Sequence, residues 1–332
     1  MPTLENFLVF EHWQYDFVRH LFTLSVAVFA AGLVYFALSA SSTAPWYRTS
    51  AYLSAVVMVS AALELFLLYQ SWQQSFFAVP VAGAAPPTIG AGSPVAFVPA
   101  PDEVFSNGYR YLNWSIDVPM LLTQLLIPIG LVGAAFWSNW WKLTLAGLLM
   151  IYTGYIGQYF EPQAAWSKDA FIVPIAEGRN AWPFWFWGFV SSIFFVYINY
   201  KVIKLTFNVQ GDVPDRARKE MKRIGIFLVV TWTLYTVGYV LPAIWPNADG
   251  MTFRHFVYTF ADITSKLVFG VMLSRVCLIR SAHDGYEPAI LARQGKMFGR
   301  PDVDVISLGR RGNEENMAPL GEVERRRDEE VV

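Results

Sequence analysis

Charge is the first thing this 332-residue sequence is short of, at 15% of residues against about 25% in a typical soluble domain. It has one cysteine, Cys277, which excludes a disulfide scaffold and a cysteine-ligated zinc site. A net charge of −1 leaves no basic footprint for nucleic acid. The N-terminus lacks the basic region of a cleavable signal, with Glu5, Glu11 and Asp16 in its place. The shortage of charge is uneven. Residues 1–280 hold 17 Lys+Arg and 15 Asp+Glu, and residues 281–332 hold the other 8 and 11. This predicts a membrane domain over 1–280 and a polar, disordered tail over 281–332, where the chain reads RRGNEENMAPLGEVERRRDEE.

Apolar residues, by contrast, make up 55% of the chain. A helix crosses the hydrocarbon core with about 20 mostly apolar residues. Seven stretches qualify, at 15–40, 49–72, 106–131, 138–161, 180–207, 216–243 and 251–280. Their length and lack of strict alternation point to helices. Between the second and third, Phe77 to Pro99 sets Val/Phe segments on either side of a Gly/Pro centre, which predicts a β-hairpin outside the bilayer. The expected fold is an all-α bundle of seven transmembrane helices with that hairpin. Arg48, Lys142, Lys201, Lys204, Arg216, Arg218, Lys219, Lys222, Arg223, Arg275 and Arg280 fall on one side, and Arg19, Lys168, Arg179 and Arg254 on the other. The positive-inside rule then puts the first set and the C-terminus in the cytoplasm, with the N-terminus and the hairpin outside. The lack of an internal repeat argues against an inverted-repeat transporter.

Glu64 in the second span, Arg110 and Asp117 in the third, and Asp262 and Lys266 in the seventh are ionisable groups inside the membrane, each a functional hypothesis. Lys266 is at mid-span, too deep to snorkel easily, with Asp262 four residues earlier on the same face. A pair that merely fixes helix packing is one reading, although apolar replacements often serve packing as well. A buried amine beside a carboxylate is also what a Schiff-base lysine requires. Trp114, Trp232, Tyr235 and Tyr258, each ordinary core filling alone, together suit a slot for a long apolar ligand on that amine.

Asp262 to Lys266 (D-I-T-S-K) and Arg110 to Pro119 (R-Y-L-N-W-S-I-D-V-P), set in seven spans, resemble the microbial rhodopsins over roughly residues 5 to 280. The resemblance implies all-trans retinal held as a protonated Schiff base on Lys266, with Trp114, Trp232, Tyr235, Gly154 and Ser265 around it. Asn113, Asp117 and Gln124 form the N-D-Q triplet of the light-driven sodium pumps. L-S-A-V-V-M-V-S-A in the second span and T-G-Y-I-G-Q in the fourth are similar to that group too. It further implies outward transport of sodium across a bacterial plasma membrane. Glu5, Glu161 and Arg254 would stand at the ion exit and Ser54 and Gln124 at the cytoplasmic gate. A pentamer is implied, with Tyr15, His20 and Glu103 at its contacts.

The residue types suit that task. At about 4 Å and an effective dielectric constant near 20, a sodium ion and a protonated nitrogen repel by about 4 kcal/mol, so the proton must leave before the cation passes. Asp117 is the candidate counterion and acceptor; the Asn113 amide cannot take a proton. Oxygens of Asn113 and Asp262 offer a hard cation a transient site, and Arg110 would bar backflow. Ala51, Ser274 and Thr236 depart from the family's Asn, Gly and Pro. Glu64 replaces a usual apolar residue and shares a face with Ser60, which the family fold turns toward Asn113 and Asp117. Three anions against two cations favour one held proton. The expectation is a protonated Glu64 donating to ionised Asp117. Outward proton pumping and light sensing through the tail are the competing readings. A chloride pump is disfavoured because Asp117 already supplies an anion there.

Overall fold

The computed structural model describes residues 3–81, 95–164, 181–209 and 211–294. The helices are α1 (His12–Ser39), α2 (Pro45–Ser75), α3 (Gly108–Leu126), α4 (Gly133–Gln158), the short α5 (Glu161–Ala164), α6 (Trp182–Phe207), α7 (Asp215–Ile244), α8 (Ala248–Asp262), α9 (Phe269–His283) and α10 (Glu287–Gln294). A π-helical segment, Ile263–Val268, joins α8 to α9, so these two form the seventh long rod of a seven-helix bundle. Each expected span is found, with boundaries shifted by a few residues. Five of the rods are long and apolar enough to cross a membrane by composition alone. In α4, Lys142 and the Trp and Tyr residues dilute the hydropathy, and the seventh rod is divided by its π segment. Thr236 lies within an unbroken α7.

Local sequence sets the ends. Glu11 and Gln14 form a reciprocal capping box on α1, and Pro45 starts α2 where a missing N–H costs nothing. Asn247 accepts from the Gly250 amide to cap α8. Beyond α3 a 3-10 turn, Ile127–Ile129, ends on Gly130 at φ 84°, a left-handed position that favours glycine.

The hairpin is present as β2 (Phe76–Pro80) and β3 (Val95–Pro99); its expected centre, 82–94, lies outside the described residues. A third strand, β1 (Phe10–Glu11), pairs antiparallel with β3 in the order β1-β3-β2, fastening the chain before α1 to the hairpin. Phe10 is buried edge-on against Trp72, with ring centroids 5.1 Å apart. Within the segment expected as a tail from residue 281, α9 runs on to His283 and α10 follows. Residues 295–332 are outside the description, as are Lys168 and Arg179.

Close approach of the rods relies on glycine. A Cβ on Gly32 would meet Leu267 and Met58 at 2.7 Å, and one on Gly238 would meet the Tyr258 ring at 2.4 Å. These contacts hold α1, α2 and α7 against the seventh rod, which carries Lys266.

Candidate functional site

Lys266 sits in the π segment, a wide turn of the kind frequent at functional sites. Its Nζ lies 2.9 Å from Asp262 Oδ1, 3.0 Å from Asp117 Oδ2 and 3.5 Å from Glu64 Oε2, and it donates to Asn113 Oδ1 at 3.0 Å. All are buried. Asn113 Nδ2 in turn donates to Ser60 Oγ at 2.5 Å. Asp262 is the most heavily engaged. Its Oδ2 receives Arg110 Nη1 at 2.8 Å, and its Oδ1 receives Tyr235 Oη at 2.8 Å and Trp114 Nε1 at 3.3 Å. Tyr235 Oη also lies 2.9 Å from Ser265 Oγ.

Glu64 shares this buried cluster. No hydrogen bond joins it to Asp117. Its carboxyl group lies 3.5 Å from both Arg110 Nη1 and Lys266 Nζ. Three carboxyl groups therefore meet two cations in a buried site, where like charges cannot all be held without compensation.

On the other side of Lys266 a cavity opens between α3, α4, α6 and α7. Trp114, Gly154, Trp232, Tyr235 and Tyr258 line it, with Lys266 and Asp117 at one end. Gly154 keeps a wall open, since a Cβ there would come within 3.3 Å of Ser191 Oγ and 3.5 Å of the Tyr111 ring. The walls suit a long apolar molecule, and the sole amine in the lining suits a covalent link to it.

A second charged cluster is on the N-terminal side of the bundle. Arg254 binds Glu5 Oε1 at 2.5 Å and Glu161 Oε2 at 2.7 Å, so the structure brings together the three residues assigned to the exit. Burial pushes the Glu5 carboxyl up, but Arg254 and His255 more than reverse this and hold it well below the ordinary carboxylate range. Sequence reasoning missed His255, whose Nε2 lies 2.9 Å from Glu5 Oε1 with the Phe22, Trp72 and Phe105 rings edge-on around it. Its only signal was position, one residue beyond Arg254. Toward α10, Ser54 and Gln124 are buried and their side-chain polar atoms have no hydrogen-bond partner. His20 and Glu103 are exposed. Tyr15, grouped with them in the sequence reading, is instead buried against Phe97, the rings stacked at 3.7 Å, because the hairpin folds over it.

A lysine buried at the centre of seven helices, with carboxylates on one side and an aromatic-walled cavity on the other, defines a retinal-type membrane protein. The family description "Bacteriorhodopsin-like protein" matches residues 16–279, and the chain belongs to that family. Members carry retinal on a lysine as a Schiff base and are light-driven ion transporters, not enzymes. The green-light absorbing proteorhodopsin of Gamma-proteobacterium EBAC31A08 is 26% identical over 179 residues, 53% of this chain and 63% of that protein. Bacteriorhodopsin-II of Haloarcula marismortui is 22% identical over 166 residues, covering 50% and 58%. The chain thus spans less than two thirds of these curated relatives. Among solved structures, xanthorhodopsin, "a Light-Driven Ion Pump with Dual Chromophore", superposes with a TM-score of 0.68 at 26% identity, covering 84% of this chain and 99% of that one. A thermophilic rhodopsin gives 0.70 at 24%, with the same coverage, which speaks to the fold alone.

Proposed function

We propose that this protein is a light-driven outward sodium pump with retinal on Lys266. The observation that carries the reading is the position of Asn113: on α3, the group touching Lys266 Nζ beside Asp117 is an amide oxygen at 3.0 Å, not a second acid. When bound, retinal supplies light-driven isomerisation and a conjugated nitrogen at Lys266 that can lose and regain its proton. Asp117 Oδ2, 3.0 Å away, is placed to take that proton. Asn113 cannot pass it outward, so it returns from Asp117. While Nζ is uncharged, the repulsion of about 4 kcal/mol at 4 Å disappears and a sodium ion can pass. The oxygens of Asn113 and Asp262 both reach Nζ and offer hard ligands to a sodium ion passing beside it. Arg110, clamped to Asp262, bars return, and Glu5, Glu161 and Arg254 form the exit.

The same reading places the N-terminus outside a bacterial plasma membrane, the C-terminus in the cytoplasm, and Ser54 and Gln124 at the cytoplasmic gate. It also gives a homo-oligomer, pentameric by family resemblance, with Tyr15, His20 and Glu103 at its contacts. Residues 1–280 form the pump and 281–332 an appended tail. Outward proton pumping is the second reading, favoured by Glu64, an extra carboxyl group 3.5 Å from Nζ.

Illuminating retinal-supplied cells in sodium chloride separates the two. A sodium pump alkalinises the medium, more so with a protonophore, and the signal vanishes when potassium replaces sodium. Acidification abolished by the protonophore overturns the sodium reading. A coloured protein that moves no ion points to sensing.

A further inference from the structure

Arg280 is a buried cation that the scheme above does not use. Its Nη1 donates to the carbonyl of Pro128, in the turn that closes α3, at 2.5 Å. Its guanidinium lies over the Tyr47 ring, 5.4 Å from the centroid, and its Nε has no hydrogen-bond partner. Among the described residues no carboxylate pairs with it in a salt bridge. Buried charges are ordinarily paired; this one is held only by a carbonyl at a helix C-terminus and by a ring face, both weak cation acceptors.

Helical spacing explains where it stands. Beyond the π turn that holds Lys266, Gly270, Ser274, Cys277 and Arg280 follow along α9 at steps of three or four on one face. Ser54, Ser50 and Tyr47 follow likewise on α2, and beyond Asp117 come Gln124 on α3 and Pro128 in the 3-10 turn after it. Three facing stripes thus run from Lys266 to the side of α10. Along them the side chains of Ser50, Ser54, Gln124 and Ser274 carry polar atoms without partners, a path able to solvate an ion. The stripes end on Tyr47, Pro128 and Arg280, the three groups in contact with one another through Arg280.

We propose that Arg280 is the cytoplasmic gate charge: locked onto Pro128 and Tyr47, it closes the path to cations at rest and swings away to admit them. The inference rests on the cation-pump reading and adds to it a second fixed arginine, opposite Arg110. Asp284, one turn further on and already receiving the Tyr47 hydroxyl at 3.1 Å, is the carboxylate available to receive the released guanidinium.

Cys277, the one cysteine, is buried one turn inside Arg280 and reports on the gate whichever ion is pumped. The experiment treats inside-out vesicles of the full-length, retinal-loaded protein with silver ion, a small monovalent cation that seizes thiols, or with uncharged methyl methanethiosulfonate. The thiol left free is then counted after denaturation. In the wild type, light should speed silver capture. Arg280→Gln should speed it in the dark by about fivefold, the weight of one unit charge roughly 10 Å away at an effective dielectric constant near 30. Arg280→Lys, which keeps the charge, should slow silver but not the uncharged reagent. Equal silver rates in light and dark, or a Gln variant as well protected as wild type, would overturn the proposal. So would Lys and Gln variants that open equally to both reagents, the result of a purely structural arginine. Wild-type transport in sodium and potassium, run in parallel, tests the sodium reading separately.

Discussion

Replacing Arg254 by Gln removes the guanidinium that holds the buried carboxylates of Glu5, at 2.5 Å, and Glu161, at 2.7 Å. Breaking a buried ion pair from one side costs about 3–5 kcal/mol, since the partner remains buried and uncompensated. At about 2–4 °C per kcal/mol for a domain of this size, the loss of colour on heating should move down by about 10 °C. The pH profile should move as well. Glu5 is held below its ordinary value of 4.5, so the stability it contributes is present in full above that pH and is lost as pH falls below it. Without Arg254, burial is opposed only by His255 and the Glu5 carboxyl is no longer held as low, so this acid-side loss should shrink, and protonation of the stranded carboxylates at low pH should relieve part of the destabilisation. Adding Glu161→Gln removes one of the stranded charges and should restore part of the stability. The assay is chromophore absorbance during thermal ramps from pH 3 to 8, in roughly unit steps. A shift under about 2 °C together with an unchanged acid profile would refute the assignment of Arg254 as the centre of that cluster.

Asp262→Asn removes the carboxylate shared by Arg110, Lys266, Tyr235 and Trp114; light-driven transport should stop, and retained sodium pumping would sink its role as a transient ligand. Glu64→Gln should delete one step from the pH titration of the absorption maximum, since an ionisable group 3.5 Å from Nζ is gone; superimposable titrations would disprove its involvement. Gly238→Ala places a methyl group 2.4 Å from the Tyr258 ring and should cost about 1–3 kcal/mol through overpacking, seen as a lower melting point with a displaced absorption maximum. An unaltered melting curve would show that α7 yields there at no cost.

The long features of the fold were legible in the sequence because they repeat. Seven apolar runs and a Gly/Pro-centred hairpin leave patterns many residues long. The β1 strand, Phe10–Glu11, leaves none, being two residues that exist only through pairing with β3. The π segment has no sequence signature either. In the site, Lys266, Asp262 and Asp117 were readable because charge inside a span is costly. Their partners were not: whether Glu64 turns to Asp117 or to the two cations depends on side-chain packing. The stacking of Tyr15 on Phe97 was not readable either, because nothing local says that a residue some eighty positions on covers it. Arg280 was counted as one of the flanking cations that orient the chain, although its side chain turns inward.

The π segment also sets the phase between the two halves of the seventh rod. The Phe269 amide reaches the Thr264 carbonyl, five residues back, so this turn holds one residue more than an α-helical turn would. Arg254, Tyr258 and Asp262 therefore belong to one angular register and Ser274, Cys277 and Arg280 to another, offset by about 100° from where an unbroken helix would carry them. Deleting a single residue between Ile263 and Val268 would close the turn and rotate the α9 half as a body. The charges around Lys266 could stay in place while the polar stripe beyond it faced lipid.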